Sequence, residues 1–150
     1  MDVHPLIRHE PDPDHPGWWS WAFADDGRFH AVLGKLLVRA GEPGHATCRM
    51  FPEESHSNLG GMIHGGALLT FIDMALFAGG KLAGANVIRA VTLDLSTRFL
   101  ERGRIGVPLD AEVELLRETG RLVFLAGKLI QDGALVASFS GALRKASKES

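Results

Sequence analysis

Residues 58–77 have the sequence NLGGMIHGGALLTFIDMALF, in which a glycine-rich turn leads into the most apolar helical pattern of the chain. From Ala67 onward almost every position is apolar, which predicts a helix packed on nearly every side. The one charge inside this run is Asp73. Because an ionised carboxylate in apolar surroundings costs several kcal/mol unless it has a partner, Asp73 is the first candidate for a functional residue.

The composition is that of an ordinary globular domain. The chain has 150 residues, of which 45% are hydrophobic and 23% charged, and its formal net charge is -2. This length corresponds to about one domain, and the balanced charge gives no reason to expect nucleic acid or a membrane as a partner. Cys48 is the single cysteine, which excludes an internal disulfide. With no signal pattern at its N-terminus and no apolar run of about 18 residues, we expect a cytoplasmic protein.

Short apolar segments flank the helix on both sides. They predict strands at residues 34–40, 45–51, 88–100, 108–118, 121–131 and 134–143. Acidic and apolar residues alternate in 110–116, which is typical of an antiparallel sheet with one wet face. The sequence therefore predicts an α+β domain in which a curved antiparallel sheet wraps around one long central helix. Since one sheet covers only one side of that helix, we also expect self-association.

The N-terminal region is less regular. Proline and glycine recur among charges and histidines in residues 1–17, which favours a solvated tail over a metal site built from His4, His9 and His15. The sequence Asp25-Asp26-Gly27 lies between apolar runs and predicts a hairpin with a short strand on each side.

A cluster of tryptophans occurs just before that turn: Trp18, Trp19 and Trp21. Aromatic side chains of this kind either line a ligand pocket or pack over a sheet or subunit edge. Packing over a sheet or subunit edge is the favoured interpretation.

The start of the long helix and the charge within it both suggest acyl-transfer chemistry. His64-Gly65-Gly66 leaves backbone N–H groups uncovered at a helix N-terminus, where they can stabilise the oxyanion of a thioester or ester carbonyl. The alternative is that the motif only forms a tight turn and binds no ligand. Asp73 is suited to act as a general base for water or as a nucleophile. The alternative is a structural carboxylate held by a hydroxyl or backbone partner, such as that of Thr70.

Gly65 and Asp73 are too far apart to act together from one helix. Their eight-residue separation corresponds to about 12 Å along the helix axis, whereas groups acting on one carbonyl must each approach it closely. If both act on one substrate, Gly65 comes from one subunit and Asp73 from the other, in a symmetric dimer.

The combination of Asn58, His64-Gly65-Gly66 and Asp73 resembles the signature of hotdog-fold acyl-CoA thioesterases, in particular the phenylacetate-degradation (PaaI-like) and thioesterase-superfamily-member-2 branch. Residues 90–100 also resemble that branch. The resemblance extends over about residues 29–143. We therefore divide the chain into an N-terminal extension, residues 1–28, and a single hotdog domain, residues 29–150.

The resemblance implies hydrolysis of an acyl-CoA to acid and free CoA by a homodimer, often a homotetramer, without metal or cofactor. In this family pattern, the Gly65 N–H polarises the thioester carbonyl, and Asp73 of the partner chain activates water or attacks directly. Asn58 and His64 shape the turn and position substrate or water. The family's small hydroxyl residue corresponds to Thr92, although one more residue than expected separates it from Asp73; an ordinary strand threonine is the alternative.

The residues that contact the substrate are less directly indicated by the sequence. Arg98, Arg102 and Arg104 are candidates for CoA phosphate contact, or form a solvated basic loop. Apolar candidates for the acyl pocket accompany Gly66 at the helix start: Met62, Leu68, Leu69, Phe71 and Leu76. Two other functions remain open on the same fold, a non-catalytic acyl-CoA binding or sensing module and a hydroxyacyl-thioester dehydratase.

Overall fold

The computed structural model describes residues 2–24 and 27–147. One helix, α1, spans Gly65–Leu82, and two short 3₁₀ helices span Phe29–Leu33 and Glu54–His56. Nine strands complete the elements: β1 Ile7–Arg8, β2 Trp19–Ser20, β3 Ala22–Phe23, β4 Leu36–Ala40, β5 His45–Met50, β6 Val91–Phe99, β7 Leu109–Glu118, β8 Leu122–Gln131 and β9 Ala134–Arg144.

Seven strands form one antiparallel sheet in the order β2-β4-β5-β7-β8-β9-β6, and β1 pairs separately with β3. The helix packs across the face of this sheet, mainly against β5 and β7. The buried helical side chains include Phe71, Ile72, Ala75 and Leu76. The predicted α+β arrangement of one helix wrapped by an antiparallel sheet is confirmed.

Glycines allow the helix to lie close to the sheet. A Cβ atom on Gly79 would come within 2.6 Å of Val113, and one on Gly141 within 2.7 Å of Leu76. By length and hydropathy alone α1 would also qualify as a membrane span. About 44% of this helix is buried inside the domain, which accounts for part of its apolar character.

The helix is less enclosed than its sequence predicts. Leu69 is exposed, and Asp73, Met74 and Phe77 are only partly buried. One sheet covers one side, and the face that carries Asp73 turns toward the N-terminal region and the edge strand β6. The expectation of a helix wrapped on nearly every side is therefore wrong for this face.

The prediction of a strand after the Asp25-Asp26-Gly27 turn is also wrong. Residues Phe29–Leu33 form a 3₁₀ helix, in which Ala31 N–H donates to the Arg28 carbonyl at 3.0 Å and Gly34 N–H to that of Ala31 at 3.1 Å. Gly34 ends the turn with φ of 69°, a left-handed conformation suited to glycine. Asp25 and Asp26 themselves lie outside the described residues.

The N-terminal segment is docked, so the predicted solvated tail is wrong. Val3 and Ile7 pack against the core, and β1 pairs with β3. The carboxylate of Asp12 contacts Lys35 Nζ at 2.9 Å and His15 Nδ1 at 3.0 Å. These contacts, Lys35 first, hold the pKa of Asp12 well below its usual range.

Candidate active site

The turn before α1 is organised by Asn58. Its Oδ1 accepts hydrogen bonds from the backbone N–H groups of Gly60 at 2.9 Å and Met62 at 3.1 Å. Gly61 within the turn has φ of 78°, which favours glycine. The side chain of Asn58 therefore fixes the shape of the turn, with both donors on its carbonyl oxygen.

The first turn of α1 leaves one amide available. Nδ1 of His64 accepts from Gly66 N–H at 2.8 Å, so the neutral ring carries its proton on Nε2. The carbonyl of His64 accepts from Ala67 and Leu68 at 2.9 and 3.1 Å. Within the described chain, Gly65 N–H has no hydrogen-bond acceptor. This amide lies at the positive end of the helix dipole and lines an open cleft.

That cleft, the amide cleft, has a volume of about 540 Å³. Its walls include Asn58, Met62, Gly65, Leu68, Phe99 and Arg102. It joins an anion-stabilising amide, apolar surface, the Arg102 guanidinium and the neighbouring Glu101 carboxylate. The amide and the guanidinium are the features needed to hold a polarised carbonyl beside an anionic tail.

Asp73 lies in a second cleft. Thr92 Oγ1 donates to Asp73 Oδ1 at 2.5 Å, whereas Thr70 Oγ1 donates to the Gly66 carbonyl at 2.7 Å. The hydroxyl partner of Asp73 is thus Thr92, and Thr70 does not fill that role. No described residue donates a hydrogen bond to Asp73 Oδ2. A carboxylate with one oxygen held and the other open is suited to accept a proton or attack a carbonyl.

The two clefts are separate within one chain. The Asp73 cleft, of about 480 Å³, is lined by Arg28, Phe29, His30, Leu69, Thr70 and Met74 in addition to Asp73 itself. It shares no residue with the amide cleft. A single copy of this chain therefore does not bring Gly65 and Asp73 to one pocket.

The three candidate arginines lie in different places. Arg102 lines the amide cleft. Arg104 donates instead to Asp132 at 3.3 Å, and Arg98 lies on β6 opposite Ser138 and lines neither cleft. Arg102 is the one placed to contact a bound phosphate in this cleft.

The residues predicted to form the acyl pocket also lie in different parts of the structure. Met62 and Leu68 line the amide cleft, and Leu69 lines the Asp73 cleft. Phe71 and Leu76 are fully buried core residues. Gly66 lines neither cleft, and an added Cβ atom there would lie 3.0 Å from His64 Nδ1.

The tryptophans have different roles. Trp18 is buried and contacts the guanidinium groups of Arg39 and Arg49, each 4.4 Å from its ring centroid. Trp19 is partly exposed and stacks on His9. Trp21 is buried and borders an apolar cavity. Trp18 therefore packs over the sheet, as favoured above, whereas Trp21 lines a cavity.

Sequence reasoning missed His30, which lines the Asp73 cleft and whose ring contacts Phe23 with centroids 3.6 Å apart. Nothing in the local sequence marks it, because its neighbours come from the N-terminal segment. Within residues 2–24 and 27–147, no three His, Cys, Asp or Glu side chains are grouped to hold a metal ion. Burial raises the pKa of the Cys48 thiol to about 12, which keeps it protonated and unreactive.

A family model described as the thioesterase superfamily matches residues 60–137. This chain belongs to the thioesterase superfamily. The matched region contains Gly65, Asp73 and Thr92, together with β6, β7, β8 and the start of β9. The fold and the resemblance predicted from the sequence are confirmed.

Known thioesterases are similar along most of the chain. Human acyl-coenzyme A thioesterase 13 is 29% identical over 117 residues, covering 70% of this chain and 80% of the human protein. The structure of zebra fish thioesterase superfamily member 2 has a TM-score of 0.66 at 29% identity, covering 81% of this chain and 88% of that chain. A mutant of the phenylacetic acid degradation protein PaaI from Thermus thermophilus has a TM-score of 0.66 at 25% identity, covering 79% of this chain and 98% of that chain.

Proposed function

We propose that this thioesterase hydrolyses acyl-CoA or aryl-CoA thioesters to the free acid and CoA. The observation that carries the proposal is the state of Asp73, which is partly exposed, held at one oxygen by Thr92 and open at the other. The name of the human relative, an acyl-coenzyme A thioesterase, supports CoA thioesters as substrates. Arg102 in the amide cleft supplies a positive charge suited to a phosphate.

The proposed mechanism uses two groups. The Gly65 N–H donates to the thioester carbonyl oxygen and stabilises the negative charge that develops there. Asp73 Oδ2 accepts a proton from water as the water oxygen bonds to the carbonyl carbon; the C–S bond then breaks, and the proton passes to the CoA sulfur. Direct attack by Asp73, with an anhydride that water then hydrolyses, uses the same residue in the same place.

A second copy of the chain would complete the site. Thr92 lies near one end of β6 and donates a hydrogen bond to Asp73. Phe99 lies at the other end, 3.7 Å from where a Cβ atom on Gly65 would be. In an antiparallel β6–β6 pair centred on Leu95 and Ser96, Thr92 would lie opposite Phe99 of the partner subunit. The Asp73 cleft of one copy would then face the amide cleft of the other.

The surface supports this pairing. β6 is an edge strand, so its outer backbone groups are free to pair with another chain. Val91, Leu93 and Phe99 are each more than half exposed, at 59%, 57% and 51%. Apolar side chains of this size on a long edge strand are typical of a surface that another chain covers.

The proposal is tested by measuring free-thiol release from phenylacetyl-, hydroxybenzoyl-, hexanoyl- and palmitoyl-CoA. We expect Asp73→Asn to lower kcat by at least about 100-fold, because the amide cannot accept the proton. Glu112→Gln, a matched carboxylate-to-amide change on an exposed position of β7, should match the wild type.

An equal kcat for Asp73→Asn and wild type would remove the carboxylate from the chemistry. If the wild-type protein binds these thioesters but releases no thiol from any of them, the protein is instead an acyl-CoA binding or sensing module. Hydration of crotonyl-CoA would point to a dehydratase.

A further inference from the structure

An apolar cavity of about 310 Å³ lies between the N-terminal segment and the C-terminal half of α1. Its main walls are Leu6, Ile7, Trp21 and Phe23 from the segment and Met74 and Phe77 from the helix. The first four of these lie outside residues 60–137, the part that matches the family model. Part of the cavity wall is thus formed by residues that precede the region matched by the family model.

The cavity continues from the Asp73 cleft. Arg28, His30 and Met74 line both spaces. Thr70, Asp73 and Phe77 follow one another at intervals of three and four residues, so they lie along one face of α1. A chain entering beside Asp73 therefore has a continuous apolar path along the helix into the cavity.

His30 stands where the two spaces meet and carries an unmet hydrogen-bonding atom. Its Nε2 is buried, and no described residue is its partner. Buried polar atoms in native proteins are nearly always satisfied by protein, water or ligand. Most of the other lining residues are apolar, and the basic residues His4, Arg28, Lys81 and Arg89 also border the cavity.

We propose that this cavity receives the distal part of the acyl group, and that the N-terminal segment sets the acyl length. The volume equals that of roughly ten water-sized groups at about 30 Å³ each, and a methylene is of comparable size. This is room for the distal part of a medium-length acyl chain, and we expect the longer palmitoyl chain to fit less well. His30 Nε2 pairs with an oxygen substituent near the thioester, such as a 3-hydroxyl. The proposal rests on the proposed thioesterase function.

Chain length is tested by comparing kcat/KM for butyryl-, decanoyl- and palmitoyl-CoA. We expect the wild type to favour decanoyl-CoA, and Leu6→Trp, which fills the cavity, to lower the decanoyl-to-butyryl ratio at least about tenfold. Arg8→Trp introduces the same side chain at an exposed residue nearby that does not line the cavity, and should leave this ratio unchanged. The same length profile for Leu6→Trp and wild type, or a wild-type preference for palmitoyl-CoA, would overturn the proposal.

The role of His30 is tested with 3-hydroxydecanoyl- and decanoyl-CoA. We expect His30→Phe, which keeps an aromatic ring against Phe23, to lower the hydroxylated-to-plain ratio of kcat/KM about tenfold. His30→Gln, which keeps a hydrogen-bonding group, should restore part of this ratio. A ratio that is the same in wild type and His30→Phe contradicts the assignment of His30.

Failure of the pocket and failure of the activity give different results. Butyryl-CoA hydrolysis that depends on Asp73, with no effect of Leu6→Trp on length preference, overturns the pocket alone. If the wild type hydrolyses nothing, calorimetric binding of decanoyl-CoA still tests the pocket. Binding weakened by Leu6→Trp but not by Arg8→Trp supports it, and equal binding by both variants overturns it.

Discussion

At the scale of single residues, Thr92 and Asp73 form a pair in which each contributes something different. Asp73 offers an open oxygen, while the Thr92 hydroxyl holds the other oxygen and so fixes the direction of the carboxylate. Thr92 is therefore a positioning residue in the proposed mechanism. Its partner is 19 residues away in sequence, on a strand whose pairing is irregular between Thr92 and Asp94.

Thr92→Val removes the hydroxyl while keeping the shape of the side chain. We expect kcat to fall about 10- to 100-fold, as for loss of a hydrogen bond to a charged group, with little change in KM. Thr92→Ser keeps the hydroxyl and should recover most of the activity. Steady-state kinetics on the best thioester checks this; equal kcat for the Val variant and wild type would make Thr92 an ordinary strand residue.

Gly65 allows a test of the amide itself. Proline is well tolerated at the first position of a helix, and the extended conformation of His64, with ψ of 136°, suits a following proline. We expect Gly65→Pro, which removes the N–H, to lower kcat about 100- to 1,000-fold. Gly65→Ala keeps the N–H, and its Cβ would meet Phe99 at an ordinary 3.7 Å.

The two Gly65 variants are compared by thiol release, with circular dichroism and thermal unfolding confirming that both remain folded. Equal loss of activity in both would show that bulk at this position, and not the missing N–H, is responsible.

At the scale of elements, strands whose residues alternate could be predicted from the sequence. In β7, Ala111 and Val113 are buried while Glu112 and Glu114 are exposed, as the alternation indicates. The hairpin turns at Thr119-Gly120 and Asp132-Gly133 join strands at nearly the predicted residues. These features depend on residues that are close in the sequence, so they can be predicted from the sequence alone.

Elements held by distant partners could not be predicted. Residues 29–33 are fixed partly by His56, whose Nε2 donates to the Val32 carbonyl at 2.6 Å. The docking of the N-terminal segment depends on Lys35 and on the helix face, which no local pattern reveals. In the candidate site, the residue types at the helix start and Asp73 were visible, but the contact with Thr92 and the place of His30 are tertiary.

The anchoring of the N-terminal segment should depend on pH through Asp12. Its pKa is lowered in the folded state, chiefly by Lys35, so the ion pair stabilises the protein above the ordinary pKa of 3.8. That contribution is lost as the pH falls from about 4 toward the lower folded-state value. We expect Asp12→Asn to lower Tm at pH 7, and the difference from wild type to shrink below pH 4.

Thermal unfolding at several pH values checks this. The control is Asp14→Asn, because Asp14 is exposed and makes no ion pair with a described residue. A Tm difference for Asp12→Asn that stays constant between pH 7 and pH 3 would contradict the assignment.

At the scale of the whole molecule, the separation of the amide cleft from the Asp73 cleft has a simple consequence. One chain carries both halves of the proposed site but does not bring them together, and its edge strand β6 exposes the apolar side chains of Val91, Leu93 and Phe99. A twofold dimer through β6 would produce two equivalent sites, each with Gly65 from one subunit and Asp73 from the other. The assembly and the chemistry are thereby linked.

The most direct test mixes the Asp73→Asn and Gly65→Pro variants under conditions that allow subunit exchange. Each variant alone should be inactive, but a hybrid dimer holds one site with both native groups. With random exchange we therefore expect activity to return to roughly a quarter of the wild-type value, since half the dimers are hybrids with one intact site of two. No recovery, although hybrids are demonstrated by mass spectrometry, would contradict a site shared between two subunits.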